Sequence, residues 1–310
     1  MEQQLKVFLT VAELKHFSLA AEKLHMTQPG VSQHVRQLER MLDATLLERS
    51  NRKVTLTKAG EIVYAHAKEI VRLQERMRHL VEDLSGTPSG PLSIGASYTF
   101  GEYVLPHLAA PFVRLYPHIE PAIQIGNTTQ IAALVAGRQL DVGIVEGQVN
   151  QEGLTAEPLA RDELLVILAS GHPLAGEERL TARQLEEQMW IVREEGSGTR
   201  AMADRLFEEL GIAPRRMAFG STQLIKESVE AGLGVSLLSA WTIQKELALG
   251  TVKALPVEGW AGERPFWLIR RASAYSTMAM ELFGSYVKAE APRLRSNDFH
   301  PLADGGWGRD

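Results

Sequence analysis

Cysteine is missing from all 310 residues, which removes disulfides, thiolate metal sites and cysteine nucleophiles from consideration. No apolar run approaches the roughly 20 residues that a membrane-spanning helix needs. The opening Met1-Glu-Gln-Gln-Leu-Lys6 lacks the basic-then-apolar layout of a secretory signal. These absences predict a cytoplasmic chain without membrane contact. Catalytic signatures are missing too. Gly196-Ser-Gly198 lacks the spacing of a G-x-S-x-G nucleophile elbow, and no H-E-x-x-H, G-x-x-x-x-G-K-[ST] or G-x-G-x-x-G pattern occurs. The nine histidines are scattered. No enzyme, metal site or cofactor is expected.

What is present is an uneven charge. The net charge is −5, yet residues 1–60 hold nine Lys+Arg against six Asp+Glu, leaving 24 against 32 in the remainder. A basic module thus precedes an acidic body, an asymmetry that suits a binding module joined to a second function. With 45% hydrophobic and 23% charged residues, the chain has enough apolar material for two or three structural units.

The basic module is organised around Thr27-Gln-Pro-Gly-Val-Ser-Gln-His-Val-Arg-Gln-Leu-Glu-Arg40. At about 100° per residue, Val31, Val35, Leu38 and Leu42 fall on one side of a helix, and Pro29, Ser32, Gln33, Arg36 and Arg40 on the other, with Gln28 in the first turn a further DNA-binding candidate. Thr27 is the N-cap, and Pro29 in the first turn costs no intrahelical hydrogen bond. Ser, Gln and Arg reach phosphates and base edges when a helix lies in the major groove. Any surface helix shows such a polar face, so the neighbours decide. Leu5, Phe8, Leu9 and Ala12 make a helix over 2–14, and Ser18 caps a second over 19–24, completing a helix-turn-helix. Over 45–57 two apolar runs flank a polar tip with Arg49, Arg52 and Lys53, read as a β-hairpin wing whose basic residues meet the phosphate backbone.

Ser18-Leu-Ala-Ala-Glu-Lys-Leu24, Thr27-Gln-Pro-Gly-Val-Ser-Gln-His-Val-Arg-Gln-Leu-Glu39, Leu46-Leu-Glu-Arg49 and Leu56-Thr-Lys-Ala-Gly60 resemble, in order and spacing, the N-terminal signature of LysR-type transcriptional regulators. Two departures are Asp43 in place of the usual Gly and Leu47 in place of the usual Phe. Asp tolerates a left-handed backbone and Leu still fills an apolar site.

From Thr57 a long helix runs to about Leu84. Val63, His66, Ile70, Leu73, Met77, Leu80 and Leu84 alternate steps of three and four, an a/d seam with one polar position, which predicts pairing with a second chain. Ser85-Gly-Thr-Pro-Ser-Gly-Pro91 then stops the helix. Beyond it strands over 92–96, 120–125, 141–145, 164–169, 235–238 and 266–269 interleave with helices over 102–116, 128–136, 201–210, 223–231 and 275–291. Such alternation predicts a parallel sheet with helices on its faces. The resemblance implies more: a two-lobed effector domain like periplasmic binding proteins, with crossovers near Ala160-Arg161 and Glu263-Arg264. The expected organisation is a winged helix-turn-helix over 1–60, a linker helix over 57–84 and a hinge over 85–91. The first lobe takes 92–160 and 264–292, the second 161–263, and a loose tail 293–310.

In alternating α/β lobes, ligands sit at strand carboxyl ends and helix N-termini. Four stretches fit: Ser97-Tyr-Thr-Phe-Gly101, Glu146-Gly147, Gly196-Ser-Gly-Thr-Arg200 and Gly220-Ser-Thr222. Each alone is also an ordinary cap or turn. Their counterparts in the family's effector cleft favour Ser97, Thr99, Phe100, Gly101, Glu146, Gly147, Ser197, Thr199, Arg200, Ser221 and Thr222 as effector-binding residues. Hydroxyls and a guanidinium suit a small anionic metabolite, whereas Glu146 opposes one. The resemblance implies a regulator of transcription that binds double-stranded operator DNA, assembles as a dimer of dimers and meets RNA polymerase. The alternative from the residues is a solute-binding protein whose N-terminal helices serve only dimerisation.

Overall fold

The computed structural model describes residues 1–50, 53–82, 86, 88–147, 149, 151–272 and 276–294. They form two units, divided after Gly86.

In the first unit, α1 (Glu2–Leu14) buries Leu5, Val7, Phe8, Leu9 and Val11. Next, α2 (Phe17–Lys23) is capped by His16, whose ring accepts from the Leu19 N–H, so the helix begins before the expected Ser18 cap. α3 (Gln28–Met41) starts as expected, with Thr27 accepting from the Gly30 N–H. Val31, Val35 and Leu38 are buried, but Leu42 lies just past the helix end and stands exposed. Asp43 adopts φ 48° there, the left-handed conformation that a glycine would take. The wing follows as β1 (Leu47–Ser50) and β2 (Lys53–Leu56), with Leu47 paired to Leu56. α4 (Lys58–Glu82) is capped by Thr57, whose hydroxyl accepts from the Gly60 N–H and donates to the Thr45 carbonyl. Gly60 is required by packing. A Cβ there would stand 2.0 Å from the Leu46 carbonyl oxygen.

The second unit opens with β3 (Gly90–Ser97), a π-helical turn over Phe100–Val104 and α5 (Leu105–Leu115). Then come β4 (Ile119–Gly126), α6 (Thr128–Ala136), β5 (Val142–Glu146) and the long β6 (Leu154–Ala169). The middle of the chain supplies α7 (Ala182–Glu186), β7 (Met189–Arg193), α8 (Gly198–Leu210), β8 (Arg215–Phe219), α9 (Thr222–Glu230) and β9 (Ser236–Ser239). It ends with α10 (Gln244–Leu249), β10 (Val252–Leu255), β11 (Glu263–Arg271) and α11 (Met278–Glu290).

Strand order β4-β3-β5-β11-β6 builds one lobe, whose core holds Leu92, Ile94, Phe112, Phe266 and Phe283. The far half of β6 pairs with β9 and β10 in the other lobe, whose core holds Val166, Trp190, Leu206 and Val235. β3 is parallel to β4 and β5, as alternation predicts, but β11 is antiparallel to both β5 and β6. The sheet is therefore mixed. The physical reason is that β6 and β11 run between the lobes as an antiparallel pair. Their register sets Arg264 opposite Asp162 and Phe266 opposite Ala160, close to the Ala160-Arg161 and Glu263-Arg264 pairs near which the resemblance implied crossovers. Of the expected hinge over 85–91, Ser85 and Thr87 lie outside the described residues, as does the tail from 295 onward.

Candidate functional sites: an exposed helix and an interlobe cleft

On α3 the residues Gln28, Pro29, Gln33, Arg36 and Arg40 are exposed. Arg36 and Arg40 each donate through Nε to the backbone carbonyl four residues earlier, which lays both guanidinium groups along the helix surface. A shallow groove beside them is lined by Pro29, Gln33, Arg36, Arg40 and Thr45. Ser32 departs from its expected place on this face: it is only 4% exposed, and its hydroxyl accepts from the Gln28 amide one turn back. Glu39, not singled out in the sequence, accepts the N–H groups of Leu46 and Leu47 and so fixes the wing against α3. Arg52 and the side chains of Arg49 and Lys53 lie outside the described residues.

α4 packs one side on α1 through Val63, Tyr64, Ala67 and Val71. Val63 is thus spent within its own unit. The opposite side leaves apolar groups in water: Ile62, Ile70, Leu73 at 54%, Met77 at 62% and Val81 at 63% exposure. The outward stripe keeps Ile70, Leu73 and Met77 from the expected seam and adds Ile62 and Val81. Leu80 is half-buried, and Leu84 lies outside the described residues.

In the second unit, the expected effector residues converge only in part. Arg264 of β11, buried at the crossover, organises those that do. Its Nε donates to Asp162 Oδ2 at 2.7 Å and its Nη1 lies 3.3 Å from Glu146 Oε2. Nη1 also donates to Thr199 Oγ1 at 3.0 Å and Nη2 to Thr99 Oγ1 at 3.3 Å. One guanidinium therefore holds a threonine from each lobe. Glu146 Oε1 accepts the Thr99 N–H at 3.0 Å, so this carboxylate is bonded within the protein itself. Burial pushes Asp162 up to about 6, against the pull of Arg264 and of Ser239, which donates to Oδ1.

α8 begins against the end of β5. Gly198 permits the approach, since a Cβ there would lie 2.6 Å from the Glu146 carbonyl oxygen. Ser197, the N-cap of α8, is buried, and its hydroxyl makes no capping hydrogen bond. The first N–H groups of any helix lack intrahelical acceptors. Ser97, also buried, donates to the Ile144 carbonyl at 3.4 Å. Gly147, with φ 79°, faces the Gly198 Cα.

Other expected residues are committed elsewhere. Arg200 turns along its own helix, pairing with Asp204 at 2.8 Å and with the Arg193 carbonyl. Ser221 caps α9, Phe100 stacks edge-on with Phe266 in the first core, and Gly101 lies against Ile125. Thr222 accepts from Arg193 Nη1 at 2.9 Å. Sequence reasoning passed over Arg193, Asn127 and Lys226. Lys226 is buried and donates to Glu246 Oε1 and to the Thr242 carbonyl. The run Met189-Trp-Ile-Val-Arg193 was the available signal: an apolar strand whose last residue is a cation.

Among the described residues no helix is long and apolar enough to cross a membrane. Two family descriptions match the chain: "Bacterial regulatory helix-turn-helix protein, lysR family" over residues 3–61 and "LysR substrate binding domain" over residues 85–292. The HTH-type transcriptional regulator CysL of Bacillus subtilis is 36% identical over 286 residues, covering 92% of this chain and 96% of that one. A full-length OxyR variant from Pseudomonas aeruginosa superposes with a TM-score of 0.71 at 25% identity, covering 94% and 96%. The Synechocystis CcmR regulatory domain in complex with 2-PG matches 65% of this chain and 97% of its own, with a TM-score of 0.61 and 28% identity. A helix-turn-helix match sets aside the solute-binding alternative. The chain belongs to the LysR family of DNA-binding transcriptional regulators.

Proposed function

We propose that a small anionic metabolite binds between the two lobes of the second unit and, by favouring one lobe arrangement, changes how paired winged helices engage operator DNA. The observation that carries this reading is the start of α8. Ser197 is buried with an unspent hydroxyl, and the helix N-terminus meets the end of β5 across the lobes. Free N–H groups and the helix dipole attract negative charge. Thr99 and Thr199 share Arg264, so a ligand touching either threonine acts on a group that spans both lobes. The 2-PG held by the related CcmR domain supports a small polar effector.

On the DNA side, Gln33 and Arg36 of α3 read base edges, and the wing residues Arg49, Arg52 and Lys53 contact phosphates. Ile70, Leu73 and Met77 join two chains along α4, and two such dimers make the assembled regulator. The testing experiment is calorimetry of full-length wild type, Ser197→Ala and Thr99→Val against sulfate, phosphate and small mono- and dicarboxylates. Each variant should lose about 1–3 kcal/mol of binding if its hydroxyl pairs with a charged ligand group. Undiminished affinity in both variants places the effector elsewhere.

A further inference from the structure

Arg193 closes β7 with its side chain 2% exposed. Its Nε and Nη2 fork onto the carboxylate of the next residue, Glu194, at 2.8 and 2.9 Å. The Tyr98 ring, from the other lobe, covers the guanidinium at 4.5 Å. Asn127, also from that lobe, donates its amide to Glu194 Oε1 at 3.4 Å. A carboxylate is therefore already lodged between the lobes, gripped by an arginine of one and touched by an amide of the other. It is supplied by the chain itself.

Among the described residues, the other buried or half-buried cations of these lobes named above are occupied. Arg264 serves Asp162, Glu146, Thr99 and Thr199; Lys226 serves Glu246 and Thr242; Arg200 faces Asp204. A guanidinium carries five N–H donors, and three of those on Arg193 are taken by Glu194 and Thr222. Its charge partner is also within reach of an exchanging ligand: Glu194 is 29% exposed and attached by a flexible stem, so the carboxylate moves into water once another anion takes its place on the fork.

We infer that Glu194 is a built-in stand-in for the anionic group of the effector: Arg193 is the charged anchor, and Glu194 yields it to an incoming carboxylate or phosphate-type anion. This rests on reading the cleft as the effector site. The exchange keeps Arg193 paired throughout, which matters because an unpaired buried charge is strongly destabilising. It also builds in selectivity, since a neutral ligand cannot replace a carboxylate on the fork.

The test uses the full-length chain. Glu194→Gln keeps the shape of the side chain and removes its charge, so Arg193 is left without an anionic partner. Binding of sulfate and of inorganic phosphate is measured at constant ionic strength, by calorimetry and by thermal unfolding against chloride. Glu194→Gln should bind at least one of them about tenfold more tightly than wild type, as expected when a charge-assisted competitor is removed. Adding Arg193→Gln should abolish that gain, with circular dichroism and the milder Arg193→Lys showing that the fold is intact. If Glu194→Gln does not fold, Glu194→Asp, too short to keep the fork, should show a smaller gain of the same sign. No gain in a folded variant overturns the inference, as does a gain that survives Arg193→Gln. If Ser197→Ala and Thr99→Val weaken anion binding while the Glu194 and Arg193 variants do not, the cleft reading stands and the stand-in falls. A gain in Glu194→Gln with no effect of Ser197→Ala or Thr99→Val leaves the anchor and removes the start of α8 from the site.

Discussion

Gly198→Ala is a one-atom probe of lobe contact. The added Cβ would lie 2.6 Å from the Glu146 carbonyl oxygen and 2.7 Å from the Glu146 Cβ, where ordinary contact begins at 3.4 Å. The backbone of Glu146 is fixed by β5, so the start of α8 must back away by close to an ångström. Overpacking of this kind costs about 1–3 kcal/mol. No positive φ opposes alanine at this position, and alanine favours helix over glycine by up to about 1 kcal/mol, so any loss comes from the contact itself. For a unit of this size each kcal/mol moves Tm by about 2–4 °C. The assay is calorimetric unfolding of the full chain combined with amide exchange. The Thr99 N–H, bonded to Glu146 Oε1 at 3.0 Å, should exchange faster as Glu146 shifts. Gly176→Ala, at a position with no neighbour within 4 Å, is the control and should change nothing. Wild-type Tm together with wild-type protection at Thr99 would refute the argument.

Three further outcomes are expected. Leu73→Glu with Met77→Glu places carboxylates in the outward stripe of α4 and should cost the paired state several kcal/mol; unchanged sedimentation mass and operator affinity would remove α4 as the pairing surface. Gln33→Ala should relax discrimination at one base position by about 1–3 kcal/mol, whereas Arg52→Ala should weaken all sequences alike and lower the salt slope by about one; equal losses on every sequence for Gln33→Ala would unseat it from base contact. Asp162, raised from 3.8 to about 6 by burial, binds its proton more tightly in the folded chain, so its contribution falls as pH rises from about 4 to 6 and is level above that. That is roughly 3 kcal/mol across the window. Denaturant titrations should show the slope in wild type and its loss in Asp162→Asn; an identical slope in both would assign it to other groups.

The helix-turn-helix was legible because local rules fix it: the Thr27 cap, the 3.6-residue period of Val31, Val35 and Leu38, and an aspartate able to take a left-handed turn. Ser32 was misplaced because helical angle alone ignores Gln28 folding over it one turn away. In the second unit most of the apolar strands were read, although β7 and β10 were passed over, and β8 was not readable. Its residues Arg215-Arg-Met-Ala-Phe219 lack a buried face, and its structure comes from pairing with β7. The first half of β6 was also hidden, since a strand passing between lobes carries Glu157, Pro158, Arg161 and Asp162 rather than an apolar run. Asp162 and Arg264, 102 residues apart, are joined by strand pairing, which no local pattern reports.

The central claim is that the exposed face of α3 binds a specific duplex and that a small anion in the cleft alters that binding. The most direct measurement is footprinting of full-length protein on duplex DNA selected from a genomic fragment pool, with and without the anion found by calorimetry. The account predicts a protected site with two related half-sites, an affinity that falls with salt, and a footprint whose length or internal cleavage changes on adding the anion. A protein that selects no duplex, or whose footprint is identical at saturating anion, would contradict it.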